Sequence, residues 1–240
     1  DLAARHLHQA GPRRDHPMVA VNCSAIPEEL FESELFGHVK GAFSGASHDR
    51  LGLLREAHGG TLFLDEIGEL SPRCQAKLLR VLQDRRVTPV GSARAHEVDL
   101  RLVSATNQDL RARVDEGAFR LDLLARVAEL RLELPPLAQR REDIPLLVAG
   151  FILKHGGHQT VTLETMEQLC LRPWPMNIRQ LEGAVRRAIF LAGDKTVLRD
   201  KFFRDELLGE EQAGEAVSED PERLLINELV DVLRRHQGKV

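Results

Sequence analysis

The chain has 240 residues, 42% of them hydrophobic and 29% charged, and a formal net charge of −4. This excludes disorder throughout and leaves enough chain for one large domain, or a domain plus a smaller one, with a core of its own. The acidic balance excludes a globally basic nucleic-acid coat, and three widely spaced cysteines (Cys23, Cys74 and Cys170) with no CxxC pair argue against a structural zinc site.

In chain order, residues 2–9 predict a helix closed by Gly11, and residues 18–21 a short apolar strand. Residues 61–64 predict a second strand after the Gly59-Gly60 turn. Residues 73–83 form an amphipathic helix that turns Leu78, Leu79 and Leu82 to the core. Residues 100–105 predict a third strand, and residues 130–134 a fourth, stopped by Pro135-Pro136. Apolar strands alternating with helices predict an α/β fold, a parallel sheet covered on both faces. From Glu142 the pattern is helical only: residues 144–154, 163–171 and 178–191 each carry an apolar stripe, with Asn177 as N-cap and Gly193 closing the last helix. The expected organisation is an α/β part over residues 1–140, an all-helical part over 141–207, an acidic linker over 208–221 and an amphipathic helix over 222–240. No apolar run reaches the roughly 18 residues of a membrane span. Sparse, unpaired cysteines suit a reducing compartment, so the expectation is a cytoplasmic protein without a membrane partner.

Four motifs carry chemistry. Leu62-Phe63-Leu64-Asp65-Glu66 ends an apolar strand in two carboxylates, at the sheet edge where ligands bind in open α/β folds. Asp65 suits a magnesium ion held largely through water, and Glu66 suits the polarisation of an attacking water. Asn107 ends the next strand, where an amide positions a water beside a phosphate or caps the following turn. Lys40 to Ala46 surrounds Phe43 with small residues, a loop with an aromatic tip that is either exposed for a partner or tucked into the core. Arg120 and Arg126 precede the fourth strand, where an arginine serves either as a finger on transition-state charge or in a surface ion pair. Ser47-His48-Asp49 has the residue types of a nucleophilic triad, but three neighbours in sequence do not converge as one.

Taken in order, these motifs resemble the AAA+ central domain of bacterial sigma-54-dependent transcriptional activators, over residues 1 to about 207. The specific element is Glu34-Leu35-Phe36-Gly37-His38 followed by Lys40-Gly41-Ala42-Phe43-Ser44-Gly45-Ala46. The resemblance implies that Gly41, Ala42, Phe43, Ser44, Gly45 and Ala46 contact sigma-54. It makes Gly59 to Ile67 the Walker B segment, with magnesium on Asp65 and the water on Glu66, and Asn22 a switch residue that pairs with Glu66. Asn107 is then the first sensor, and Arg179, after Trp174-Pro175 and Asn177, a second sensor on the nucleotide. Arg120 and Arg126 act in trans on a neighbour's ATP, which implies a self-assembled ring, usually a hexamer. ATP and magnesium are the implied cofactors and sigma-54 RNA polymerase the implied partner. DNA would be bound through a C-terminal Fis-like helix-turn-helix, of which residues 222–240 resemble the first helix. The type is common in two-component signalling.

The sequence departs from that pattern in one large respect: no GxxxxGK[ST] occurs in it. Asp1 aligns directly after the position of the missing lysine, so the expectation is a piece of a longer activator whose phosphate loop and central strand lie upstream, with nucleotide binding by these residues weak or absent. The alternative is a non-catalytic regulatory or assembly module on a degenerate AAA+ core. Smaller departures are Ser44 for Thr, and Met176 for a Gly whose backbone freedom would shape the local turn.

Overall fold

A computed structural model describes residues 1–203; the expected acidic linker and final helix fall wholly on residues 204–240, outside the described residues. The chain divides after Leu132 into two compact units.

In the first unit α1 (Leu2–Gln9) leads to β1 (Met18–Asn22) and a 3-10 turn, Cys23–Ala25. Then come α2 (Glu28–Phe36), α3 (Leu53–Glu56), β2 (Thr61–Asp65) and a second 3-10 turn, Ile67–Glu69. α4 (Pro72–Asp84) begins as its sequence dictates: Pro72 needs no N–H partner in the first turn, and Ser71 accepts a bond from the Cys74 amide. β3 (Arg86–Val87) and β4 (His96–Glu97) form a short antiparallel pair. β5 (Arg101–Ser104), α5 (Leu110–Asp115) and α6 (Leu121–Val127) complete the unit.

The sheet is parallel, in the order β1-β2-β5. β2 is central, and Thr61, Leu62, Phe63 and Leu64 are all buried, as a continuous apolar run between two helical layers demands. Leu35, Phe36, Leu54, Leu78 and Leu123 close over it from α2, α3, α4 and α6. β5 lies at an edge and is only half-buried throughout. The predicted strands and helices of this unit are present to within a residue or two, with one exception. Residues 130–134 form no strand, and Leu130, Leu132 and Leu134 are 89%, 66% and 64% exposed. A strand exists only where a neighbour offers free N–H and C=O groups. The central strand that the resemblance calls for is not among these residues, so the ladder has no row for residues 130–134 to join.

The second unit contains α7 (Ile144–Lys154), α8 (Leu163–Leu171) and α9 (Asn177–Ala192), packed through Ile144, Val148, Leu169, Leu181, Val185 and Ala188. It is not purely helical: β6 (Thr160–Val161) pairs in parallel with β7 (Val197–Leu198). Asn177 is not the N-cap of α9; Met176 holds that position, and Asn177 is the first helical residue, at φ 55°. Its side chain accepts a 2.7 Å bond from the Leu137 amide, stitching a preceding turn to the helix start. Asn tolerates the left-handed region because its short amide bonds locally. Met176 sits at φ −95°, so the side chain that replaces glycine there carries no backbone strain.

Candidate functional site

β2 and the segment after β5 deliver the Asp65 and Glu66 carboxylates and Asn107 to one edge of the sheet. Asn22 lies beside Asp65 in the β1–β2 register. Beyond β2 and β5 the two chains stay tied: Ala105 N–H donates to Leu64 O at 2.9 Å, and Ile67 N–H to Ala105 O at 3.0 Å. Glu66 occupies the left-handed region at φ 54°, ψ 49°, a costly conformation for a residue with a Cβ, and one that clusters at functional sites. It turns the Glu66 carboxylate to accept a long bond, 3.4 Å, from the Asn107 amide, while Asp65 accepts from Glu66 N–H at 3.2 Å. Asp109, not Asn107, caps the following helix, by accepting from the Arg111 amide at 2.9 Å and the Ala112 amide at 3.4 Å. The Asn107 side chain makes no hydrogen bond among the described residues and stands exposed at the edge.

Asn22 does not meet Glu66 here. Its Oδ1 accepts from the Ser24 N–H at 2.9 Å and the Ser24 hydroxyl at 2.7 Å, capping the 3-10 turn. Cys23, next in sequence, is buried against Asp65; burial first and the Asp65 charge second push its thiol up to about 12. Burial likewise pushes the Cys170 thiol up to about 11 and raises Cys74. At pH 8 the Cys23 thiol is then thiolate in only about one molecule in 10⁴ and the Cys170 thiol in about one in 10³, and all three cysteines are buried. A disulfide-exchange thiol reagent at pH 8 should therefore leave all three cysteines of the folded chain unmodified and label them promptly in guanidinium. Rapid labelling of Cys23 in the folded chain would contradict its burial beside the carboxylates.

Residues 37–52 form a loop whose stem is two glycines. Gly37 and Gly52 have φ 79° and 84°, and a Cβ on Gly52 would lie 2.3 Å from the Gly37 nitrogen, so neither position accepts a side chain. Within the loop, Gly41 N–H donates to Ala46 O at 2.8 Å and Lys40 N–H to Asp49 Oδ1 at 2.7 Å. Asp49 is thus engaged away from the Ser47–His48 contact, and no triad forms. Ala46 is buried, while Gly41, Ser44 and Gly45 are exposed and Ala42 is half-buried. Phe43 falls between the two readings: it is 40% exposed, with its ring edge-on to His38 at 5.1 Å. His38 in turn is buried and bonded to the Ser33 hydroxyl at 2.6 Å.

Arg120 is the N-cap residue of α6 and is exposed. Its Nε and Nη2 donate to the two Asp122 oxygens at 3.0 and 2.7 Å, a bidentate fork. The guanidinium holds Asp122 below the usual carboxylate range. Arg126, in the last turn of α6, donates to Glu129 at 3.0 Å and to Leu82 O at 3.3 Å. Arg179 lies in the first turn of α9, exposed, in the second unit. Sequence reasoning missed Asp122 and Gln75, which both bond to Arg120. The only local signal for Asp122 was an acid two residues after the arginine, and for Gln75 a polar residue at helical spacing with the inward-facing Leu78, Leu79 and Leu82.

The donor set is right for half of a magnesium–nucleotide site. Among the described residues no cluster of three or more His, Cys, Asp or Glu could hold a metal ion alone. Magnesium normally takes one or two carboxylates, keeps waters and completes its shell on substrate phosphates, and Asp65 at an open sheet edge suits that role. The Gly-rich lysine loop that cradles phosphates is not in the sequence.

Residues 1–133 match the family described as the Sigma-54 interaction domain. The chain belongs to this family. Residues 138–220 match the AAA+ ATPase lid domain, so the fold is an AAA+ α/β unit followed by a helical lid. The chain is 49% identical over 200 residues to the Nif-specific regulatory protein of Herbaspirillum seropedicae, covering 81% of this chain and 37% of that protein. It is 48% identical over 196 residues to the transcriptional regulatory protein ZraR of Escherichia coli K12, covering 80% and 44%. With GlrR of the same organism the match is 40% over 246 residues, all of this chain and 55% of that protein. The chain thus spans between 37% and 55% of the length of these relatives. A crystal structure of NtrX from Brucella abortus in complex with ADP superposes with a TM-score of 0.80 at 31% identity, over all of this chain and 56% of that one. NtrX has also been crystallised with ATP, and that structure matches equally well. No helix among the described residues is long and apolar enough to cross a membrane.

Proposed function

We propose that the intact protein is an ATP-hydrolysing transcription activator that remodels the closed complex of sigma-54 RNA polymerase, acting as a ring. The observation that supports this best is the edge where Asp65 lies beside a Glu66 carboxylate bonded to the Asn107 amide. Magnesium bound with ATP supplies charge neutralisation on the phosphates. Asp65 would hold it, and Glu66 would orient and polarise the attacking water. Asn107, on the same hydrogen bond, registers whether the γ-phosphate side of the site is filled. Asn22, parked on Ser24, is within the same edge and free to exchange that bond for Glu66. Arg179 would reach the nucleotide, and Arg120 and Arg126 would act on the neighbour's. The loop from Gly41 to Ala46 would carry the motion to sigma-54 through Phe43 and Ser44. DNA binding is assigned to the C-terminal part, beyond the described residues.

The rival reading, a non-catalytic regulatory or assembly module, draws on the lack of a GxxxxGK[ST] motif in these 240 residues. Two measurements on the intact protein separate them. ATP turnover with micromolar nucleotide affinity favours the activator, and its absence favours the module. The contact role is tested by Ser44→Ala and Phe43→Ala, which should abolish sigma-54-dependent transcription in a purified system and leave ATP turnover within about threefold, since neither side chain reaches the carboxylate edge. Unchanged transcription in both variants would remove the loop from the mechanism.

A further inference from the structure

Gln75 is the fully buried polar residue of α4, with 0% exposure. A buried amide that uses all its groups fixes whatever it bonds to. Its Nε2 donates to Leu70 O at 2.7 Å and to Ala118 O at 3.0 Å, and its Oε1 accepts from the Arg120 backbone N–H at 2.9 Å. Three backbone groups from two separate segments therefore converge on one side chain. Leu70 ends the short turn that leaves the Asp65–Glu66 edge. Ala118 and Arg120 flank Phe119, whose ring is buried in the core; along the backbone the Ala118 and Phe119 N–H groups donate to Arg113 O at 2.8 and 2.9 Å, and Gln75 takes the Ala118 carbonyl and the Arg120 N–H. The Arg120 side chain, by contrast, is exposed and, among the described residues, held only by the Asp122 fork. The anchor of this arginine is its backbone, whose N–H is held by Gln75.

We propose that Gln75 is the positioning residue for the arginine finger: it ties the Arg120 backbone to the segment leaving a subunit's own catalytic carboxylates, and so sets where that subunit presents its guanidinium to the neighbour's ATP. This rests on the reading of Arg120 as a finger. An arginine that acts across an interface must arrive within a fraction of an ångström, and a misplacement of about 1 Å costs about 10²-fold in rate. The bond to Leu70 gives the finger a direct mechanical connection to the strand-to-helix turn behind Glu66.

The test uses the intact protein and mixed rings. Gln75→Met keeps the length and the apolar packing and removes all three bonds. Its nucleotide affinity should stay within about twofold and its turnover fall about 10²-fold. Mixed with Glu66→Gln subunits, it should regain activity, because those subunits lend an intact finger to its intact carboxylates. Mixed with Arg120→Ala subunits, it should regain none, because neither subunit then presents a finger. A side chain that merely supported its own nucleotide site would give the reverse pattern; that, any other pattern, or a Gln75→Met turnover within threefold of the parent, overturns the proposal. Should the Met variant not fold, Gln75→Asn keeps the amide one methylene short of the finger segment and is put through the same mixtures. Amide hydrogen exchange measures the clamp separately: the Arg120 N–H should lose about tenfold in protection in Gln75→Asn, and unchanged protection overturns the clamp. Arg120→Ala rings that turn over at the parent rate would sink the finger reading, and with it the role assigned to Gln75, without touching that exchange result.

Discussion

Arg120→Ala should lower ATP turnover of the assembled intact protein by about 10³–10⁵-fold, the range over which arginine fingers act. The physical reason is the charge that spreads over the equatorial oxygens of the transferred phosphoryl group, which a planar guanidinium neutralises through two parallel N–H donors. In the isolated chain those donors are occupied by Asp122, at 3.0 and 2.7 Å. That fork is solvent-exposed, with both side chains nearly half open to water. Exchanging it for a neighbour's phosphate therefore gives up little, because exposed pairs are screened. The Asp122 carboxyl is held below its usual range by the same guanidinium, so the fork is present at any pH above that range and is lost only on acidification. The expected signature is a fall in kcat with little change in nucleotide affinity. Arg120→Lys should recover only part of it, since an ammonium lacks the fork. A kcat within tenfold of the parent would remove Arg120 from the chemistry.

Glu66→Gln should reduce turnover by about 10²–10⁴-fold and leave nucleotide bound. The substitution is isosteric and spares the backbone: φ 54° is as costly for glutamine as for glutamate, and an amide oxygen still accepts from the Asn107 N–H. What would disappear is the negative charge that, on the proposed function, polarises the attacking water. The single-turnover rate should fall in parallel with kcat. A normal single-turnover rate with slow product release would place the effect elsewhere.

Much of the α/β unit was legible in the sequence because its signals are local. The apolar run before Asp65 predicts a buried strand whatever surrounds it, and the structure places it centrally with every residue from Thr61 to Leu64 buried. The leucines at 78, 79 and 82 read correctly as the inner face of α4. The same reading failed at residues 130–134, where alternation alone does not make a strand without a partner edge. It also failed at Asn177, whose side chain satisfies Leu137, forty residues away, rather than its own helix. β6 and β7, two residues each, are too short to leave a pattern.

The candidate site divides in the same way. Asp65, Glu66, Asn107 and the loop around Phe43 are recognisable in the sequence by type and order, because strand ends and small-residue loops impose their chemistry within a few positions. Gln75 is not. Its spacing from Leu78, Leu79 and Leu82 puts it on the inner face of α4, but nothing in that pattern says that Leu70, Ala118 and Arg120 will meet there. Burial of a polar side chain is a property of the segments that close over it, and those lie up to 45 positions away in the chain. The sequence by itself determined the three strands of the parallel sheet, the strand end that carries Asp65 and Glu66, and the family. Only the tertiary structure decided which side chain holds the Arg120 backbone and which expected strand goes unformed, because both depend on hydrogen-bonding partners brought together by packing rather than by proximity in the chain.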